Sequence, residues 1–455
     1  MELTEDSDRL GNEPIIPLLF KLSVPSIIGM VIQALYNVID SIYIGHLSKE
    51  ALSALSLVFP LQMILIAVAV GTGVGTSSLI SRLLGEEEDD EANSAAQHTV
   101  LLIIFYGMVA ILIGIFFSRG LLRLFTSNNT LIDLGSSYIR IILIGSWAVF
   151  FPIVADNILR GEGNTYAPMW TMIIGALLNI ALDPFLIFGI GIFPQLGIRG
   201  AAYATVISRF ISGIFIGYIL FKSERQFNFN PKTFEFDFSI IHEIYQVGLP
   251  AMVMQLLTSF MIIGINKIVA GYSIAAVAVV GVYHRLQTFV FMPVFGLDQG
   301  YMPIVGYNYG HENPDRMKKT IRYGLIIGFL FTSLGGVIFQ LFPRELISLF
   351  NNDPALLDIG ETALKRISFA FPIMGLVIVA STTFQAIGEG IPSLVLSFLR
   401  QILLLLPIMY LLGRLYGLSA LWYAFPISEL ITVILMAFWL ASTLQEAYQE
   451  LATEN

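Results

Sequence analysis

The chain contains no cysteine, so no disulfide staples it, no thiolate holds a metal, and redox chemistry says nothing about its compartment. Charge is scarce as well: Asp, Glu, Lys and Arg together supply 13% of the 455 residues, against roughly 25% in soluble domains. A nucleotide phosphate loop is missing, because no Lys-Ser or Lys-Thr follows the glycines of Gly71-x-x-x-Gly75. So is the long soluble domain that an ATP-driven pump needs. Energy must then come from an ion gradient, or solute moves downhill. The net charge of -9 does not describe an acidic soluble surface, since much of it sits in the cluster Glu86 to Glu91 and at the two ends. The opening stretch Met1 to Glu13 is acidic and polar with no basic n-region, so a cleaved signal peptide is not expected.

What the chain has is apolar length. Apolar residues make up 56% of it and mean hydropathy is +0.78, the composition of an integral membrane protein. Segments long enough to cross a bilayer as helices, about 20 apolar residues, fall at 15–43, 51–81, 95–118, 131–160, 166–191, 200–222, 241–270, 274–306, 318–342, 355–386, 393–413 and 418–443. The long polar connection Lys222 to Asp237 separates six spans from six. The expected architecture is an all-α integral membrane protein of twelve transmembrane helices in two pseudo-symmetric six-helix lobes: residues 1–221, a cytoplasmic linker 222–239, and residues 240–455.

Residue by residue, the halves repeat. Gly71, Gly75 and Gly85 return 225 positions on as Gly296, Gly300 and Gly310. Leu124-Phe125, Asp133 and Gly135 return as Leu349-Phe350, Asp358 and Gly360, and Pro25 returns as Pro250. Gly161-Glu162-Gly163 reappears at 388–390, and Tyr203-Ala204 at 423–424. Duplicated helical bundles are a common transporter plan. With both termini inside, the inner connections hold Arg82, Arg160, Lys222, Arg225, Lys232, Arg316, Lys318, Lys319 and Arg322, and the outer ones Lys49, Arg119, Arg123, Arg199, Arg344 and Arg414. That excess favours a multi-pass protein of the cell (plasma or inner) membrane with cytoplasmic termini.

Ionisable residues inside spans are costly and call for a functional hypothesis. Asp40 lies in the outward part of the first span and Asp183 in the outward part of the fifth, so the two could meet at one level. Tyr36 and Asn179 each precede their acid by four residues on the same helix face, and Pro184 can free the Ile180 carbonyl. Two carboxylates, an amide and a hydroxyl could hold a small hard cation or share a proton. The plainer reading is that each Asp bonds a neighbouring helix and lines a wet crevice. The copies are unequal here: position 265 is Ile, and Leu403-Leu404-Leu405-Leu406-Pro407 stands where Asp183 would recur. Asp156 falls near the inner end of the fourth span, spaced for an i,i+4 ion pair with Arg160. Arg140 and Lys365 are counterparts, which suggests lobe architecture. In the second half Gln255, Thr258, Gln287 and Gln299 offer polar contacts toward a cavity, and His284, Arg285 and Asp298 share the eighth span. Gly71-x-x-x-Gly75 permits close helix approach.

The run Leu35-Tyr-Asn-Val-Ile-Asp40-Ser-Ile-Tyr-Ile-Gly45, together with Gly73-Val-Gly-Thr-Ser-Ser78, Ile158-Leu-Arg-Gly-Glu-Gly163, Asn179-Ile-Ala-Leu-Asp-Pro184, Gly200-Ala-Ala-Tyr-Ala-Thr205 and Phe384-Gln-Ala-Ile-Gly-Glu-Gly390, resembles the multidrug and toxic compound extrusion (MATE) transporters over nearly the whole chain. The likeness is greatest to their DinF-like branch. It implies a V-shaped bundle that exports amphipathic, often cationic compounds in exchange for Na+ or H+. The residues matching the family's cation site, where Na+ would bind, are Asp40, Asn179, Asp183 and Thr205, with Tyr36 beside them. Pro25 matches a proline at which the first helix bends. Where relatives commonly have an amide, this chain has Asp156 followed by Asn157, a departure that could add an acid to the site.

Three other classes compete. A lipid or lipid-linked oligosaccharide flippase has a related plan but calls for basic residues facing its cavity. A polyprenyl transferase would carry aspartate-rich motifs, and a passive channel would not need one acidic and one neutral lobe. The expectation is therefore a non-enzymatic antiporter with no cofactor beyond the coupling ion. Its partners are small-molecule drugs or toxins and the lipid bilayer, with no nucleic acid, and it is expected to be a monomer.

Overall fold

The computed structural model describes residues 9–222 and 234–453, and all regular structure among them is helical. In chain order the helices are α1 (Ile15–Leu47), α2 (Lys49–Gly85), α3 (Asp89–Phe116), α4 (Ser118–Arg123), α5 (Asn129–Ile144), α6 (Ser146–Gly161), α7 (Tyr166–Phe188), α8 (Ile198–Lys222), α9 (Phe238–Ala270), α10 (Ile274–Gly310), α11 (Pro314–Leu341), α12 (Pro343–Ser348), α13 (Pro354–Ile367), α14 (Phe371–Ala386), α15 (Gly390–Phe398), α16 (Leu406–Leu421) and α17 (Ala424–Thr453). Eleven are long and apolar enough to cross a membrane when helices running on through short irregular turns are taken whole, and the bent pair α5–α6 makes a twelfth span. These fall on the twelve segments expected from hydropathy. Arg225, Lys232 and most of the expected linker lie outside the described residues.

Duplication reaches the turns. Ser48 and Ser273 cap α2 and α10 in the same way, each hydroxyl accepting from the backbone N–H three residues on, Ala51 and Ala276, at 3.0 Å. Asn128 and Asp353 cap α5 and α13. Glu87 and Glu312 both take left-handed backbone, φ 62° and 50°, at the turn after α2 and after α10, and Gly163 and Gly388 do so after the fourth and tenth spans. The copies differ where their sequences differ. At Gly145 the fourth span bends by 52°, whereas at the equivalent Ala370 the tenth only tightens into a 3-10 turn, Ser368–Ala370. The eleventh span widens into π-helix over Leu399–Leu405, just before Pro407. A proline ring needs such room, because it clashes with the carbonyl one turn earlier.

Grouped by contacts, the described residues form two compact units. The first is built from Ile28–Met252; the second from Gly11–Ile27 with residues 253–453. Helices α1 and α9 therefore change unit partway, each within three residues of a proline, Pro25 and Pro250. The glycine pairs explain what holds each first half. In the first unit, Gly71 and Gly75 let α9 lie directly on α2: a Cβ on Gly71 would stand 2.6 Å from the Gly248 carbonyl oxygen, and one on Gly75 would collide with that of Ile244. Tyr245 fastens the contact through Thr72 (3.3 Å) and Tyr106. In the second unit, Gly300 receives α1 in the same manner, with Leu22 Cβ 2.7 Å from where its own Cβ would be, and Ser23 Oγ donates to the Leu297 carbonyl at 3.4 Å.

The segment entering α9 is pinned to α3. The Asp237 N–H donates to His98 Nε2 at 2.8 Å, and the Phe234 and Phe236 rings lie 4.9 and 5.7 Å from the imidazole. The Ser239 hydroxyl and N–H both donate to Asp237 Oδ1, which holds that carboxyl below the usual carboxylate range.

Gly75→Leu should lower the apparent Tm of the detergent-purified protein, by an amount reflecting roughly 1–3 kcal/mol of overpacking. Gly281→Leu, at a helix position with nothing within 4 Å of its Cβ, should leave it unchanged. Equal effects would mean that close packing of α9 on α2 is not what constrains Gly75.

Candidate functional site

Within the first unit α7 supplies Asp183, fully buried, and Asn179 one turn earlier, 1% exposed. Asn179 reaches α8. With its amide nitrogen toward α7 it donates to Asp183 Oδ2 at 3.2 Å while its oxygen accepts from the Thr205 N–H at 3.2 Å, and in the opposite orientation it donates to Thr205 Oγ1 at 3.4 Å. The first arrangement satisfies both ends of the amide. Asp40 comes in from α1, its carboxyl within hydrogen-bonding reach of that of Asp183. Such a bond requires a proton on one of the two. Oδ1 of each acid is buried and meets no donor.

Thus Asp40, Asn179, Asp183 and Thr205 are brought together. Tyr36, one turn before Asp40, accepts from Arg209 Nη2 at 3.4 Å, and that guanidinium lies 5.9 Å from its ring centroid. Two further residues complete the wall. Tyr138 of α5, 2% exposed, stands beside Asp40 and Thr205, and Gln62 of α2 donates to its hydroxyl at 3.3 Å. None of Tyr138, Gln62 and Arg209 is singled out by the sequence reading. Arg209 carried a signal: it lies inside a span, four residues beyond Thr205 on the same helix face.

Asp156 and Asn157 occupy other surroundings. Asp156, 5% exposed, faces the Thr171 hydroxyl with Arg160 and Arg209 nearby. The i,i+4 ion pair with Arg160 does not close, because Arg160 leans instead toward the Met172 sulfur, 3.9 Å away, and both Asp156 Oδ1 and Arg160 Nε are left without a partner. Asn157 donates to the Ile153 carbonyl at 2.7 Å in its own helix and packs against Gly73. Gln255 is exposed and Gln287 half-buried, both in the second unit.

The second unit has no copy of the acid pair. Ile265, the counterpart of Asp40, is a fully buried core residue. The unit is not neutral, however. Glu429 of α17, 4% exposed, takes a hydrogen bond of 2.9 Å from Arg400 on the π-helical turn, with the buried Tyr283 hydroxyl close by. Asp298 stands near the Thr382 hydroxyl.

A family model described as MatE matches residues 25–185 and 250–411. The chain is 30% identical over 446 residues to a protein named FAD transporter from Shewanella oneidensis, covering 97% of this chain and 98% of that one. It is 27% identical to the multidrug export protein MepA of Staphylococcus aureus, covering 91% of each. A solved structure described as MATE in the bent conformation is similar with a TM-score of 0.91 at 28% identity, covering 99% of both chains.

Asp40→Asn and Asp183→Asn should each abolish drug efflux from cells while membrane abundance is kept, and Asp156→Asn should be milder. Near-normal efflux by either of the first two would remove the pair from the mechanism. Because one partner of a buried ion pair cannot be removed without stranding the other charge, Arg400→Leu should destabilise the protein by about 3–5 kcal/mol. Arg400→Met combined with Glu429→Leu should restore most of the apparent Tm.

Proposed function

The chain belongs to the MatE family, and on that premise we propose that it is a secondary antiporter exporting amphipathic, often cationic compounds in exchange for Na+ or H+. The observation that carries this reading is the apposition of Asp40 and Asp183 with an unpartnered, buried oxygen on each. Carboxylate, amide and hydroxyl oxygens suit Na+, and the same two carboxyls can share a proton. Without an ion the pair holds charge that repels within an apolar bundle. One monovalent cation or proton relieves that repulsion and removes the cost of closing the crevice around it.

Asn179 and Thr205 orient the Asp183 carboxyl, while Tyr36 and Arg209 set the polarity beside Asp40. Pro25 gives α1 a weak point two residues before the helix passes from one unit to the other, so bending there can link occupancy of the acids to access for the exported compound. Coupling asks only that ion and compound prefer different states.

A second reading concerns the cargo. The Shewanella relative is named as an FAD transporter, and Arg209 beside the Tyr36 ring favours an aromatic anion as a substrate of the same antiport machinery. Competition between FAD and a cationic dye in one assay separates the two.

Proteoliposomes loaded with dye should extrude it when a Na+ gradient or a pH gradient is imposed, each tested alone, and should identify the driving ion. Indifference to both would overturn antiport. Pro25→Ala should slow turnover while leaving ion binding nearly intact, and unimpaired transport would leave the bend without support.

A further inference from the structure

In the second unit a cavity of about 760 Å³ opens between the first turns of α11 and the last turns of α17. Its surface is almost wholly apolar, and basic and polar residues frame one end of it. Lys318 and Arg322 stand one helical turn apart on α11, facing Gln445, Tyr448 and Gln449 of α17, and Lys318 Nζ lies 4.2 Å over the Tyr448 ring, which holds the ammonium at the groove. Neither base is in an ion pair among the described residues. No described residue in the wall is acidic, and the neighbouring acids Asp315 and Glu446 are not part of it. Deeper in, the wall turns apolar: Ile321, Leu325 and Ile326 on one side, Ala441 and Leu444 on the other. The apolar surface continues along α11 through the exposed side chains of Phe329 and Leu330.

Two bases without an ion pair among the described residues at one end, and a continuous apolar wall at the other, describe an amphipathic anion. A free phosphate or a nucleotide would satisfy the bases and leave the lower half of the groove bare. A zwitterionic lipid would fill the apolar half but bring its own cation to the bases. Basic pockets between membrane helices are a recognised way of holding anionic head groups. The geometry points to a site for an anionic phospholipid, its phosphate between Lys318 and Arg322 and an acyl chain along Leu325, Ile326 and Leu444. This site is separate from the Asp40–Asp183 pair, which is in the other unit.

The test uses the full-length protein, stripped of native lipid in detergent and titrated with phosphatidylglycerol, phosphatidylcholine or inorganic phosphate, with apparent Tm and native mass spectrometry as readouts. Phosphatidylglycerol should raise the Tm and survive as a bound adduct, whereas the other two should do neither. Lys318→Gln combined with Arg322→Gln should weaken phosphatidylglycerol binding by roughly tenfold or more, with the Tm in phosphatidylcholine unchanged. Arg322→Gln alone, a milder change at an exposed position, should give an intermediate loss. An equal response to phosphatidylcholine, a full response to phosphate alone, or undiminished phosphatidylglycerol binding by the double variant would overturn the assignment.

Discussion

Two carboxyl groups pressed together inside an apolar helical bundle set the terms for the rest of the first unit. Asp40 and Asp183 come from helices far apart in sequence, and neither could be held there charged and alone without a large desolvation cost. Asn179 and Thr205 supply hydrogen bonds on the α7–α8 side, and Tyr138, held in turn by Gln62, stands beside Thr205 and Asp40. One buried oxygen on each acid nevertheless goes unanswered. Incomplete satisfaction of a buried polar group is costly, and the antiport proposed above gives it a use, since an ion taken up there would answer those oxygens.

The scaffold around this site is symmetric and the chemistry is not. Caps, left-handed turns and close-packing glycines recur at the same spacing in both halves, because each is a solution to helix packing that works equally well twice. Asp40 gives way to a core isoleucine in the copy, and the span matching α7 has leucines and Pro407 where Asp183 would recur, with a π-helical turn that carries Arg400. Glu429 is paired with that arginine, although Asp298 in the same unit, beside Thr382, keeps an unpartnered oxygen of its own; what the first unit alone has is two acids set against each other. On the antiport proposed above, that apposed pair is what assigns the response to an ion to the first unit.

Much of the fold was legible because bilayer thickness imposes it: twelve apolar stretches became twelve spans with ends close to those read from hydropathy. The meeting of Asp40 with Asp183 was legible as well, since depth along a span follows from counting. Rotation of each helix about its own axis was not. Tyr138 and Gln62 look like ordinary span residues until their helices are seen to turn them inward, and the expected Asp156–Arg160 pair stays open because Arg160 leans toward the Met172 sulfur while Asp156 faces Thr171, both on α7. Arg209 could have been found by the rule that exposed Asp40. The passage of α1 and α9 from one unit to the other is a matter of packing that hydropathy does not record, although the Gly71-x-x-x-Gly75 pattern announced that some helix would lie close against α2.

On the antiport proposed, ion and exported compound compete through the Asp40–Asp183 pair, and ion release on substrate binding tests that competition most directly. Purified protein in weakly buffered detergent, saturated with a transported cation, should release roughly one proton or sodium ion per molecule, detected by pH electrode or sodium-sensitive dye. Asp40→Asn and Asp183→Asn should release none. Full release by either variant, or none by the parent protein despite bound substrate, would contradict the account.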